Sequence, residues 1–180
     1  MPPSLQLLAS FEDSATFSTL TVYNSDMAWP ANRWTNRHVE QGFSWREGCV
    51  AFGTLGSMGI QIEVWLTDRI ELLPQTQRAI RVPFTVNQSG AVGVGGSCED
   101  NLVSIPTGTY DLLFENGMDY THNESPEREE AGLLDMWCRL CFIPSTNPQA
   151  EVLRELEDVK GGEGQLLTPT YPLLMEAEPA

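Results

Sequence analysis

Basic residues are scarce in this sequence: 10 Lys and Arg stand against 25 Asp and Glu, which gives a formal net charge of −15 over 180 residues. Residues 1–90 carry 8 acidic and 6 basic side chains, whereas residues 91–180 carry 17 and 4, so the two halves contribute −2 and −13. Such a surface repels phosphate backbones, which argues against direct binding to nucleic acid. It attracts a basic protein partner and raises the rate of association with it.

Long hydrophobic runs are absent as well. No stretch approaches the roughly 20 apolar residues that a membrane helix needs. The N-terminus has neither the basic region nor the apolar region of a secretory signal. We therefore expect a cytoplasmic protein that does not associate with membranes.

The sequence also lacks the common catalytic motifs. Its glycine-dense stretch, residues 90–96, has no lysine and no nucleotide-binding spacing, and no G-x-S-x-G elbow occurs. The two histidines, His38 and His122, lie in a short helical pattern and in an acidic stretch, and neither context suggests a catalytic base. We predict a protein that is not an enzyme, with no catalytic residues and no cofactor. A hydrolase on an uncommon scaffold is the weakest alternative.

Cysteine is limited to four residues, Cys49, Cys98, Cys138 and Cys141. The C-x-x-C spacing of the last two is compatible with zinc or redox chemistry, but zinc would need a second pair of ligands. In a strand, residues three apart point to opposite faces, and cysteine is commonly buried as a small hydrophobic residue. The sequence therefore predicts free structural thiols and no metal site.

Short apolar stretches separated by Gly, Pro, Asn and Ser take the place of long ones. Residues 16–23 predict an N-terminal strand, and apolar residues alternate with polar ones in residues 60–66 and 80–86. Pro83 cannot donate a hydrogen bond, so we place its strand at an edge or a bulge. Residues 133–143 are the most apolar and predict a central strand. The pattern predicts a mainly β fold, a two-layer antiparallel β-sandwich with two short α-helices.

Two segments carry helix signals. Residues 35–41 begin at a capping threonine and end before Gly42, which suits a left-handed C-terminal position. Residues 148–159 follow a capping asparagine, begin with proline and repeat apolar residues at helical spacing. We expect one sandwich domain over residues 1–162, which includes the second helix, and an extended or flexible tail over residues 163–180.

Residues 111–130 form the most acidic stretch, with seven Asp and Glu against one Arg. The intervening Asn, Gly, Ser and Pro residues predict a long acidic loop between two strands. Three roles stay open for it: a calcium site built from carboxylate oxygens, a contact surface for a basic cleft, and a solvated loop. The spacing does not match an EF-hand loop, which disfavours calcium.

Three pieces of the sequence, taken in order, point to a family. Residues 34–52 contain a Trp-Thr helix that ends in Gly-Phe and a following Gly-x-aliphatic-x-Phe strand. Residues 80–86 contain Val-Pro-Phe, and residues 105–112 contain Pro-x-Gly-x-Tyr. Over about residues 15–115 the chain resembles the competence protein J family, whose bacterial prototype inhibits a DNA-uptake nuclease. The resemblance implies a cytoplasmic protein that binds a nuclease and blocks it.

The partner that the resemblance implies is a basic nuclease of the DNA-uptake or toxin type. A cleft that attracts phosphate is complementary to an acidic surface, and inhibitors of this kind combine steering charges with aromatic anchors. Placement in predicted loops and helix ends selects seven partner-binding candidates: the carboxylates Glu115, Asp119, Glu124 and Glu127, and the aromatic residues Trp29, Trp34 and Tyr120. The alternative is a non-catalytic β-sandwich module that binds carbohydrate or calcium.

Overall fold

The structure, a computed structural model, describes residues 5–57, 59–96, 101–119, 135–156 and 172–180. A 3-10 turn, Thr16–Ser18, connects the first two strands. Within the described ranges the helix and strands are, in chain order, β1 Gln6–Ser14, β2 Thr19–Asn24, α1 Asn36–Gln41, β3 Phe43–Arg46, β4 Cys49–Gly53, β5 Gly59–Leu66, β6 Arg78–Val86, β7 Ala91–Gly95, β8 Asn101–Ser104, β9 Gly108–Asp119, β10 Asp135–Pro144 and β11 Glu151–Glu155.

The strands form two sheets, so the fold is mainly β as predicted. The larger sheet has six strands in the order β1-β5-β10-β9-β6-β11, and the smaller has five in the order β3-β4-β2-β7-β8. Strand neighbours in the described ranges pair antiparallel, except that β5 and β10 run parallel. The purely antiparallel prediction is wrong for this pair. Parallel strands need a long connection, and here the chain from β6 to β9 lies between them.

The two sheets share one hydrophobic core. Ile60, Ile62 and Val64 of β5 are buried, while the residues between them are partly exposed, as the alternation in the sequence predicts. Phe52 of β4 and Phe114 of β9 stack across the core, with ring centroids 4.6 Å apart and ring planes within 3° of parallel. Burial of the apolar faces of both sheets is the main stabilising contribution.

β10 confirms the prediction of a central strand, because it pairs with β5 on one side and with β9 on the other. Its two cysteines point to opposite faces: Cys138 belongs to the main core, whereas Cys141 packs with Leu113 and Ile143 on the outer face. Both are buried free thiols, as is Cys49. Burial raises the pKa of Cys141 to about 12 and that of Cys49 to about 11, so neither thiol ionises readily.

The segment between β5 and β6, residues 67–77, crosses the outer face of the larger sheet. The Thr67 N–H donates to the carbonyl of Phe142 in β10, and the Gln77 N–H donates to the carbonyl of Asn116 in β9. Leu72 of this segment packs on the outer cluster around Cys141. A face that a bare sheet would expose to water is thereby covered.

Helix α1 forms where its end signals predict it. The Thr35 N–H donates to His38 Nδ1 at 3.1 Å, and the Thr35 hydroxyl accepts from the His38 N–H at 3.5 Å, so the two residues form a capping box. Gly42 ends the helix with φ 83°, a conformation that glycine adopts without strain. No helix in the described ranges has the length and apolar character needed to cross a bilayer.

The second predicted helix, residues 148–159, is wrong, because its middle forms strand β11, which pairs antiparallel with β6. Two ion pairs hold the strand: Arg81 with Glu151 at 2.7 Å and Arg78 with Glu155 at 2.8 Å. The pair formed by Arg78 is almost fully buried. Helix propensity is a weak preference, and an open strand edge with two placed arginines overrides it.

Pro83 lies where β6 has a neighbour on one side only. β11 pairs with β6 from Arg78 to Arg81, so beyond that point β6 pairs with β9 alone. The indole N–H of Trp45 in β3 donates to the Pro83 carbonyl at 2.6 Å. The predicted edge position is confirmed at this residue, and the hydrogen bond ties the two sheets together.

Residues 172–180 run beside β3, and we call them the C-terminal strap. The Gln41 side chain bonds the N–H and the carbonyl of Leu174, at 2.8 and 3.0 Å. Further along, the Ala177 N–H donates to the carbonyl of Trp45 at 2.6 Å. The strap therefore shields the outer edge of the smaller sheet. The rest of the predicted tail lies outside the described residues.

Candidate partner-binding site

Four of the seven predicted partner-binding residues lie in the described ranges: Trp29, Trp34, Glu115 and Asp119. Tyr120, Glu124 and Glu127 lie outside the described residues. Asp119 is the last residue of β9 and pairs with Asp135, the first residue of β10. Residues 111–119 belong to β9 and pair with β10, which corrects the first part of the acidic loop predicted over residues 111–130.

Glu115 is buried inside the protein, which corrects its assignment to a partner-binding surface. Its side chain is 0% exposed. Its Oε1 accepts hydrogen bonds from the Leu73 N–H at 2.8 Å and the Thr76 hydroxyl at 2.7 Å, and its Oε2 pairs with Arg139. The side chain does point to the outer face, as the strand pattern predicts, but residues 67–77 cover it. Its role is to fasten that crossing segment to the sheet.

The connections between strands gather at two opposite ends of the sheets. The Phe17 end, as we call it, holds the turn Thr16–Ser18, residues 54–57, Gly96 and the paired residues Asp119 and Asp135. The Trp29 end is where the strands finish on the opposite side, and the described connections there include residues 25–35, 47–48, 87–90, 105–107 and 145–150.

Acidic residues are divided unequally between these ends. Connections that begin and finish at the Phe17 end carry six Asp and Glu against one Arg in their sequence, over residues 15–18, 54–58, 96–100 and 120–134, and the strand ends Asp119 and Asp135 add two more. Connections at the Trp29 end carry two Asp and Glu against one Arg, over residues 25–35, 47–48, 87–90, 105–107 and 145–150. The order of the strands therefore assigns most of the acidic connecting sequence to one end.

Phe17 is the most exposed large hydrophobic residue in the described ranges, with 90% of its surface accessible. The predicted strand over residues 16–23 begins later than expected, at Thr19, and Phe17 lies in the preceding turn. Both Phe17 and Ser18 have left-handed backbone angles, with φ 55° and 54°. This conformation costs a residue other than glycine about 1–2 kcal/mol. The turn thus presents a phenyl ring to solvent on a strained backbone.

A signal for Phe17 exists in the sequence, although the predicted partner-binding residues do not include it. Leu20 and Val22 of β2 are fully buried and set the inward phase of that strand. If this alternation is extended back along the chain, Phe17 is expected to point outward, as Thr19 and Thr21 do. An aromatic residue in the outward phase at the start of a strand is a candidate for contact with a partner.

Trp29 marks the opposite end and is 79% exposed. Its loop is fixed by Arg46, whose Nη2 donates to the Trp29 carbonyl at 2.6 Å and whose Nε donates to Asn32 Oδ1 at 2.7 Å. Asn32 is buried and donates in turn to the carbonyl of Ser44 at 2.8 Å. Trp29 is therefore accessible on a loop that hydrogen bonds hold in place, as a predicted anchor should be. The side chain that holds this loop, Arg46, is positively charged.

Trp34 is half-buried and packs edge-on against His38, with ring centroids 6.4 Å apart. His38 is 3% exposed, and its Nε2 has no hydrogen-bond partner among the described residues. Burial lowers the pKa of His38 below its usual value of 6.5, because the imidazolium form would lose hydration. The neutral ring is the form that can accept the capping hydrogen bond at Nδ1.

We expect acid to destabilise the protein through His38. The unfolded chain takes up a proton near pH 6.5, whereas the folded protein resists protonation until a lower pH, so the free energy of unfolding falls as the pH is lowered through this interval. Urea unfolding at about pH 7.5 and about pH 5.5 measures the change. His38→Gln keeps a capping-box side chain that does not titrate, so its loss of stability over the same interval should be smaller. An equal loss in both proteins would contradict the assignment.

A solvent-open groove between β1 and β8 is lined by Gln6, Leu8, Leu66, Gly90 and residues 104–107. It has no tryptophan for stacking on a sugar and no carboxylate for calcium. No group of three or more His, Cys, Asp and Glu in the described part of the chain is placed to hold a metal ion.

Comparison with known proteins gives one family and two solved structures. The family model of competence protein J matches residues 12–143, from β1 to the end of β10. ComJ from Bacillus subtilis, inhibitor of the DNA-degrading activity of NucA, has a similar crystal structure, with a TM-score of 0.61 and 17% sequence identity. The alignment covers 78% of this chain and 99% of ComJ. At this identity the likeness concerns the fold.

The second solved structure is that of crocagin biosynthetic gene J, with a TM-score of 0.49 and 14% identity over 81% of this chain and 99% of that one. A likeness of this size adds nothing to the functional question. No curated protein matches the sequence. β11 and the C-terminal strap lie beyond the range that the family model matches.

Proposed function

The chain belongs to the competence protein J family, and on this basis we propose that it is a protein inhibitor that binds a nuclease and inactivates it. It acts by binding and not by catalysis, in the cytoplasm, and needs no cofactor. Its partner is a basic nuclease of the DNA-uptake or toxin type. The two sheets serve as a two-layer sandwich scaffold that holds the contact surface.

The family match is the observation that carries the proposal. It extends from β1 to β10 and takes in strands of both sheets, so it concerns the body of the fold and not a single motif. ComJ of Bacillus subtilis, which shares the fold, inhibits the DNA-degrading activity of NucA. A shared fold alone does not establish a shared activity, so the family membership and the charge distribution have to support the same role.

The charge distribution supports it on physical grounds. A nuclease has to attract a polyanion, and a surface rich in carboxylates is complementary to such a cleft. The acidic connecting sequences of the Phe17 end supply that surface in the proposal. Asp119, Tyr120, Glu124 and Glu127 remain predicted contacts. Glu115 is excluded from the contacts because its carboxylate is buried and paired.

We expect stoichiometric, salt-sensitive inhibition. Any nuclease encoded beside the gene of this protein is titrated with the protein at about 0.05 and 0.2 M salt, and DNA cleavage is followed. Cleavage should stop near one equivalent at the lower salt, and the apparent Kd should rise at least about tenfold at the higher salt, because steering charges are screened. NucA from Bacillus subtilis is tested in parallel as a second nuclease.

The control variant separates charge from fold. Glu124→Gln combined with Glu127→Gln removes two negative charges from the predicted contact sequence, and it should weaken inhibition and reduce the salt dependence. Asp26→Asn, at the Trp29 end, should leave both unchanged. If the unaltered protein neither inhibits the nuclease nor elutes with it, the inhibitor function is wrong and only the fold is shared with ComJ.

A further inference from the structure

We infer that Phe17 is the aromatic anchor of the nuclease interface and that the Phe17 end, not the Trp29 end, docks on the partner. This inference rests on the proposed function and adds the side chain that makes the central contact. Interfaces depend on a few aromatic residues that are held in position before binding and enter a pocket of the partner. The turn that bears Phe17 has the required properties.

The turn is held rigidly from both sides. The Thr16 N–H donates to the Gly96 carbonyl at 3.1 Å, and the Thr54 N–H donates to the Ser18 carbonyl at 2.9 Å. The hydroxyl groups of Ser18 and Ser57 are 2.8 Å apart. Two other parts of the chain, residues 54–57 and Gly96, therefore fix the backbone on both sides of Phe17, so the turn has little backbone entropy left to lose on binding.

The space beneath the turn is filled, so the backbone has no room to relax inwards. Ala15 is 1% exposed and belongs to the main core. A Cβ atom on Gly96 would lie 2.5 Å from the Ser14 carbonyl oxygen and 3.0 Å from Ala15 Cα. The left-handed residues persist because their surroundings determine them, and strained backbone of this kind is concentrated at functional sites.

The packing of the ring gives no structural reason for the strain. With 90% of its surface exposed, Phe17 contributes almost nothing to the core. A glycine at this position would adopt φ 55° freely, yet the turn carries a large aromatic residue there. An exposed aromatic residue that costs stability is explained by a surface that covers it in a complex.

The charges around Phe17 indicate what kind of partner surface covers its ring. Glu12 is exposed and Asp13 half-buried at the end of β1, and Asp119 and Asp135 end the neighbouring strands. Arg78, which begins β6 at this end, is buried in its pair with Glu155. The occupant is therefore a basic protein surface with an apolar pocket. The Trp29 loop, by contrast, rests on Arg46.

Phe17→Ala tests the inference against Trp29→Ala, which removes the rival aromatic anchor at the opposite end. Both changes remove an exposed aromatic side chain, so both variants should fold. In the titration of the neighbouring nuclease, Phe17→Ala should raise the apparent Kd at least about thirtyfold, as loss of a hot spot does, and Trp29→Ala by less than about twofold. Phe17→Gly should weaken inhibition as much as Phe17→Ala while its Tm equals or exceeds that of the unaltered protein, because glycine relieves the strain.

The outcomes separate the inference from the function it rests on. If the unaltered protein inhibits no nuclease, the proposed function fails and the anchor role fails with it. If it inhibits and Phe17→Ala inhibits equally well, or if Trp29→Ala shows the larger loss, the function stands and the anchor is wrong. Size-exclusion chromatography checks the remaining occupant: a dimer that Phe17→Ala converts to a monomer would show that a second copy covers the ring and would overturn the inference.

Discussion

Replacement of Glu115 by glutamine is expected to lower the free energy of unfolding by about 3–5 kcal/mol, which is the usual effect of breaking a buried ion pair from one side. Glutamine fills nearly the same volume, so the loss comes from charge and hydrogen bonding. Arg139, with 13% of its side chain exposed, would be left without its carboxylate. The acceptor of the Leu73 N–H and the Thr76 hydroxyl would also be weakened. Urea unfolding of both proteins measures the difference.

Glu71→Gln is the matched control, since Glu71 pairs with Arg69 at the surface, where both side chains are more than 60% exposed. It should change the stability by no more than about 1 kcal/mol. The double variant Glu115→Gln with Arg139→Met should lose less than the sum of the two single changes, because the second removes the charge that the first leaves unpaired. Strict additivity would mean that the pair is not coupled as the structure shows.

Phe114→Ala is expected to lower the free energy of unfolding by about 3–5 kcal/mol, through a different cause from that of its neighbour Glu115. Phe114 is fully buried and stacks on Phe52 of the opposite sheet. Truncation removes apolar contacts and leaves a cavity between two sheets, neither of which can close it without moving a whole strand. The stacked geometry adds about 0.5–1.5 kcal/mol to the loss from burial alone.

Leu102→Ala provides the comparison, because Leu102 lies in β8 with 68% of its surface exposed. Its truncation should alter the stability by no more than about 0.5 kcal/mol. Denaturant unfolding of Phe114→Ala should show a lower midpoint with an unchanged m-value. The variant loses packing in the native state, but unfolding still exposes nearly the same surface area. A loss below about 1 kcal/mol would mean that the two sheets do not pack through these rings.

Features that depend on local sequence were predictable, and α1 shows why. Its cap at Thr35 and its left-handed end at Gly42 depend on residues within one helical turn, and both form as expected. The failed helix over residues 148–159 carried similar local signals. The strand found there depends on Arg78 and Arg81, which are far away in the sequence. Pro83 indicates an edge of β6, but no local pattern shows that residues 151–155 pair beside it.

In the candidate site, too, features set by local sequence could be predicted and features set by distant contacts could not. The outward direction of Glu115 follows from strand alternation, but its burial depends on residues 67–77, which cross from elsewhere in the chain. Phe17 was detectable from the phase of Leu20 and Val22, yet its left-handed turn depends on contacts with the segment around Gly96. The total acidity is visible in the sequence, whereas its concentration at one end requires the order of the strands.

The position of β10 has a consequence for how the chain folds. β1 and β5 form one piece of the larger sheet and β9, β6 and β11 form another, and β10 joins them by pairing Ile60 with Met136 on one side and Met118 with Met136 on the other. Until residues 135–144 leave the ribosome, the first piece has no partner for its inner edge. Contacts between residues so distant in the sequence form late, so we expect refolding in milliseconds to seconds, with the closing of β10 as the slow step. Chaperones would then have their longest opportunity to bind in the interval before β10 is in place.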